Sequence, residues 1–261
     1  GDAEEKAQEG PGPPGPQSSG RITKKQRKGK AQREFDFSKY CQRYVALEVL
    51  YLGWTFHGFA SVGNSDNTIE AHLFRALEKT RLIPAAVDRG LLHYSRCGRT
   101  DRGVSALGQV VVLNLRSAAT VAEGLGSVPL DRELDYPGML NKALPPEIRV
   151  LGWASAQPSF SARFDALWRE YKYFILPPPG SDLAAMQEAA NHFVGLHDFR
   201  HFCKLDAENM HNFVRRIEFF RISPVEGCSW PGPRQLCEIH LRGSAFLWHQ
   251  VRCMAAVLLM V

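Results

Sequence analysis

The sequence predicts an α+β fold with a mixed, largely antiparallel sheet and flanking helices. Two observations carry that prediction. Apolar and β-branched runs recur in hairpin-like pairs, and the helical stretches among them lack the regular strand–helix–strand spacing of a doubly wound fold. A third observation marks the centre of interest. Cys97-Gly98-Arg99-Thr100-Asp101-Arg102-Gly103-Val104-Ser105-Ala106 is a glycine-punctuated loop that feeds the apolar run 110–113.

Taken in order, residues 1–20 are rich in Gly, Pro, Glu, Gln and Ser, and have almost no large apolar side chain to offset their ordering entropy, so disorder is expected. Residues 21–33 then carry Arg21, Lys24, Lys25, Arg27, Lys28, Lys30 and Arg33 with no acid among them. That run reads equally as a nuclear-import signal, an arm on an RNA backbone, or a solvated tail. Residues 1–40 are therefore assigned to a disordered basic tail. Position 1 is not Met, and the sequence is expected to be a fragment.

Residues 44–51 read as a strand, followed by an aromatic loop in which Trp54 and Phe59 could stack on bases, with buried packing the favoured role for both. Asn67 with Glu70 three residues on suggests a helix start, with Ile69, Leu73, Phe74 and Leu77 on its apolar stripe. Strands are expected at 91–96 and 110–115, which would hold the Asp101 loop at both ends. Residues 117–135 read as a connection between two halves, 41–125 and 126–261. Beyond it come a short helix at 139–144, a strand at 148–153, and an alternating stretch from Arg169 through Tyr171 and Tyr173. A helix capped by Ser181 then runs to Phe193. His197 to Lys204 reads as packing with a basic rim, strands follow at 213–222 and 235–241, and an apolar helix opens at Phe246. That last helix reaches Val261 without a capping residue, so the C-terminal half is expected to be truncated there.

The 44% hydrophobic content suffices for a real core, and the net charge of +5 favours a polyanionic partner such as RNA. Six cysteines show no Cys-x-x-Cys spacing, which argues against structural zinc and for reduced thiols inside the cell. The apolar C-terminal run is too short to span a bilayer, so no membrane partner is expected.

Asp101 is the only carboxylate in the loop and stands between Arg99 and Arg102, two guanidinium groups that favour its anion as nucleophile or base and could also grip phosphate. Tyr171 and Tyr173 share one strand face beside Arg169, which suits a stacked base as well as ordinary sheet packing. Arg252 in an apolar helix calls for a buried anion, and Asp101 is the candidate.

The loop Cys-Gly-Arg-Thr-Asp-Arg-Gly-Val-Ser-Ala closely resembles the active-site loop of the TruA family of tRNA pseudouridine synthases. The resemblance continues through Phe160-Ser161-Ala162-Arg163-Phe164, Arg169-Glu170-Tyr171-Lys172-Tyr173 and Phe246-Leu247-Trp248-His249-Gln250-Val251-Arg252, and its wording is nearest to the eukaryotic branch acting on tRNA uridines 38 and 39. It implies the pseudouridine synthase fold, two similar halves around a basic central cleft, and a homodimer. It also implies isomerisation of uridine without metal, nucleotide or redox cofactor, in the nucleus or cytoplasm.

In that resemblance Asp101 carries the chemistry, Tyr171 packs on the target uridine and Arg252 pairs with Asp101. Arg99 is expected to fill the gap left by the extracted base. One carboxylate is compatible with three routes: attack at C6, attack at C1′, or removal of the 2′ proton. Two other readings stand beside this one, an inactive tRNA-binding chaperone and a carboxylate glycosidase. Asp101, Tyr171 and Arg252 together argue against the first, and the lack of an evident second carboxylate argues against the other.

Overall fold

The structure, a computed structural model, describes residues 35–60, 66–204, 211–228, 231–232 and 234–261. The disorder and basic-arm expectations for residues 1–33 fall outside them. The first sheet opens with β1 (Tyr40–Tyr51), whose alternate residues Val45, Leu47, Val49 and Tyr51 are fully buried. Helix α1 (Ile69–Lys79) follows, started by Thr68, whose hydroxyl accepts a hydrogen bond from the Ala71 amide at 3.2 Å. A side-chain cap of this kind contributes about 1 kcal/mol. Ile69, Leu73 and Leu77 face the sheet fully buried, each contributing about 1.5–3 kcal/mol.

Next come the two-residue β2 (Ser95–Arg96) and the long β3 (Ala106–Thr120). Helix α2 (Tyr136–Asn141) is capped by Asp135 on the Gly138 amide, and β4 (Ile148–Ser155) completes the sheet. The strand order is β2-β3-β1-β4 with every pairing antiparallel, the split arrangement of a β-α-β-β-α-β unit.

The second sheet has the order β5-β8-β7-β6, again antiparallel throughout. It is built from β5 (Arg169–Ile175), α3 (Leu183–Asn191), β6 (Gly195–Asp198), β7 (Val214–Pro224), β8 (Cys237–Gly243) and α4 (Gln250–Leu258). Each sheet has its own hydrophobic core: the first gathers β1, α1, β3, α2 and β4, and the second gathers β5, α3, β7, β8 and α4. The fold is α+β, as expected. No described helix is long and apolar enough to cross a membrane.

Several sequence expectations are corrected. Residues 117–120 continue β3, and Glu133 turns back onto them: its buried carboxylate takes hydrogen bonds from the Ser117 hydroxyl and the Ala118 and Leu134 amides, and pairs with Arg43 at 2.6 Å. Tyr136, Leu140, Ile148 and Val150 belong to the first core, so the division between halves falls after β4 and not near 125. Residues 36–40 are ordered, with a short turn running into β1. Residues 89–92 form a 3-10 turn in place of the strand expected from 91. Asp182, not Ser181, caps α3, and β6 runs from the glycine after that helix into the start of the stretch read as packing with a basic rim. Trp54 is 79% exposed because the 3-10 turn at 53–55 throws it outward, whereas Phe59 is buried.

Candidate active site

The Asp101 loop is held by hydrogen bonds on every side. Upstream, the Cys97 amide donates to the Val110 carbonyl at 2.9 Å, and the Gln109 side chain donates to the Gly98 carbonyl at 2.7 Å while accepting from the Cys97 thiol. At its centre the Thr100 carbonyl accepts from the Phe59 amide at 3.0 Å, and the Thr100 and Tyr51 hydroxyls bond at 2.7 Å. Burial pushes the Tyr51 phenol up, with the Thr100 bond opposing. The aromatic loop meets this segment closely enough to require glycine twice. A Cβ on Gly53 would lie 1.9 Å from the Val104 carbonyl oxygen, and Gly58, at φ +93°, would place one 2.8 Å from that of Thr100. Of Gly98, Gly103 and Gly108 only Gly103 takes a positive φ, so the loop owes its shape more to these neighbours than to its own glycines.

Asp101 is met from the other half of the molecule. Arg252 Nη2 and His249 Nε2 each stand 3.5 Å from the same oxygen, Oδ2. The expected partnership with Arg252 is present, but it is not buried: the side chains of Asp101, His249 and Arg252 are 31%, 33% and 45% exposed. Arg99 and Arg102, the sequence neighbours, are exposed, and the ion pairs to Asp101 come from α4 and its leading turn.

Tyr171 is half-buried against the second core, its ring edge-on to Phe246 at 5.1 Å. Burial raises its phenol; Arg169 opposes the rise, and Cys97 and Asp101 add to it. Tyr171 therefore both packs the core and stands in electrostatic reach of Asp101.

Arg169 is not beside an open stacking face. Its guanidinium makes five hydrogen bonds to the carbonyls of Cys97, Arg163, Ala166 and Ser244, between 2.7 and 3.2 Å. It joins the first residue of the loop to the end of β8. Alternation placed Arg169 on the right face, but nothing local reveals that backbone carbonyls converge there.

His249 was missed. It precedes α4 in the left-handed region at φ 61°, a conformation that costs a non-glycine residue about 1–2 kcal/mol. Lys204, read only as part of a basic rim, has its ammonium 4.3 Å over the ring of Trp248, which is 44% exposed and stacks edge-on with His249. Among the described residues no three His, Cys, Asp or Glu side chains converge in a way that could hold a metal ion.

A carboxylate on a well-bonded loop, facing an arginine, a histidine and a partly buried tyrosine across the junction of two antiparallel half-domains, defines the class: a site arranged around one acid group. The family model described as tRNA pseudouridine synthase matches residues 189–261. A relative in Homo sapiens named tRNA pseudouridine(38/39) synthase is 47% identical over 248 residues, 89% of this chain and 50% of its own length. Its namesake in Saccharomyces cerevisiae is 41% identical, over 89% of this chain and 51% of its own. The tRNA pseudouridine synthase A of Methanothermobacter thermautotrophicus is 35% identical over 84% of this chain and 68% of its own length. The chain belongs to the TruA-type tRNA pseudouridine synthase family. It spans about half the length of the (38/39) synthases that it matches.

Proposed function

We propose that the protein isomerises uridine to pseudouridine in the anticodon arm of tRNA, at positions 38 and 39, with Asp101 as its catalytic carboxylate. The observation that carries this reading is the meeting of Asp101, His249 and Arg252 across the two halves, with Tyr171 beside them. The printed names of the (38/39) synthases support the choice of uridines. In the reaction the bond from C1′ to N1 breaks, one from C1′ to C5 forms, and the C5 proton is lost as N1 regains one. Nothing is added or removed overall, and no metal, nucleotide or redox cofactor is invoked.

A stacked uridine hides its glycosidic bond, so the base must leave the stack at a cost of a few kcal/mol. Arg99, exposed on the loop, fills the gap it leaves. Tyr171 packs on the extracted uracil, Arg252 orients Asp101, and phosphate contacts hold the tRNA by shape. By the same family likeness the protein works as a homodimer in the nucleus or cytoplasm.

Incubation of the purified protein with tRNA tests the reading. Pseudouridine at 38 or 39 is the expected product. Bound but unchanged tRNA would mark a chaperone, and an abasic site a glycosidase.

A further inference from the structure

The geometry points to His249 as a positioning residue that, with Arg252, clamps Oδ2 of Asp101 and so leaves Oδ1 as the oxygen presented to substrate. The inference rests on the proposed reading of Asp101 and deepens it. Both side chains approach the same carboxylate oxygen at 3.5 Å, from a turn and a helix that follow one another in the chain. Two groups converging on one oxygen from different directions hold the plane of the carboxylate more narrowly than one, because each contact lengthens as Oδ2 swings about the Cβ–Cγ bond. The contacts are long for hydrogen bonds, which is usual for a catalytic group before substrate closes the site.

The backbone supplies an independent argument. Each of the other three helices begins with Thr or Asp accepting from its own first turn, whereas α4 has His249 in the cap position with no side-chain cap bond. His249 takes the left-handed conformation there, and the next residue, Gln250, is buried with its Nε2 lacking a hydrogen-bond partner among the described residues. Its Oε1 instead accepts from the Leu247 amide at 2.8 Å, and the Trp248 carbonyl accepts from the Lys204 amide at 2.9 Å, which pins the turn from both sides. A strained residue, a missing cap and an unpaired buried amide on two consecutive positions is a local cost that packing does not explain. It is explained by what the turn delivers, an imidazole aimed at the carboxylate across the cleft.

His249→Gly separates the two roles. Glycine adopts the left-handed region without strain, so a purely structural turn would be satisfied by it. We expect this variant to melt at or above the wild-type temperature and to bind tRNA with unchanged Kd, while kcat for pseudouridine formation falls about tenfold to a hundredfold, as for a misplaced catalytic group. His249→Asn, whose side chain tolerates the same backbone but is too short to put a donor where Nε2 stands, should show the same loss. Wild-type kcat in His249→Gly overturns the inference, and so does a loss that appears in Kd alone, which would make His249 an RNA contact. A wild-type protein that forms no pseudouridine overturns the reading of Asp101 and this inference with it. Active wild type beside an equally active His249→Gly overturns the inference alone.

Discussion

Two arginines reach from the second half of the molecule to the Asp101 loop, and they do so in opposite ways. Arg169 is saturated: five hydrogen bonds to four neutral carbonyls tie the loop's base to β8. Arg252 touches a charged group at 3.5 Å, and nearly half of its side chain is exposed. The difference separates holding a structure from the reactive role proposed for Asp101 and its partner. A guanidinium spent on carbonyls is fixed and electrostatically occupied, whereas one left half-solvated beside a carboxylate can still adjust when the substrate arrives.

Breaking the reactive side should give the largest effect. Asp101→Asn keeps size and hydrogen bonding but removes the anion, and is expected to lower turnover by at least about 10³-fold with tRNA binding nearly intact. Wild-type turnover would dismiss Asp101.

Breaking the strut should act on stability instead. Arg169→Ala leaves several carbonyls at the junction without their donor, and should lower unfolding free energy by about 3 kcal/mol in denaturant titrations, with Arg169→Lys recovering only part because it lacks the planar fork. Arg252→Ala should change stability by less than about 0.5 kcal/mol while depressing turnover. Equal stability losses in the two alanine variants would erase the distinction drawn between them.

Tyr171 stands between the two regimes. Tyr171→Leu should lose about 1–3 kcal/mol of stacking on the extracted base, seen as a drop in single-turnover rate. An unchanged rate with a lowered melting temperature would make it a core residue only.

The smallest effect is acidic. Burial alone would raise the Glu133 carboxyl, but the Ser117 hydroxyl, the Ala118 and Leu134 amides and Arg43 outweigh it and hold it below the ordinary 4.5. Because the folded value is the lower one, this contribution is complete above about pH 4.5 and is lost as pH falls through the depressed folded value. Stability measured over that window should decline more steeply in wild type than in Glu133→Gln. Parallel curves would remove Glu133 from the account.

The regular elements were legible where periodicity and burial agree. Val45, Leu47 and Val49 announce β1, and Ile69, Leu73 and Leu77 announce α1, with its start misplaced by one residue because Asn67 and Thr68 are both capping types. The boundary near 125 failed because Ser117, Ala118 and Ala119 look like linker composition. Ser117 is buried within β3 by a carboxylate sixteen residues away, a partner that local pattern does not show. Asp101, Tyr171 and Arg252 were found through their motifs, and the structure brings them together. His249 was not, since its place depends on a backbone conformation imposed by where α4 must start. Arg169 was seen but misread, because a cation near two phenols gives no hint of the carbonyls it serves.

The close approach of Gly53 to Val104 and the bond from the Phe59 amide to Thr100 have a dynamic consequence. Two segments more than forty residues apart share their hydrogen bonds and leave no room for a side chain between them, so in local unfolding they form one cooperative unit. Asp101 cannot swing away by opening its own loop alone. Any excursion that releases it must also release residues 53–59, and Asp101 inherits the free energy of both segments as its barrier to wandering.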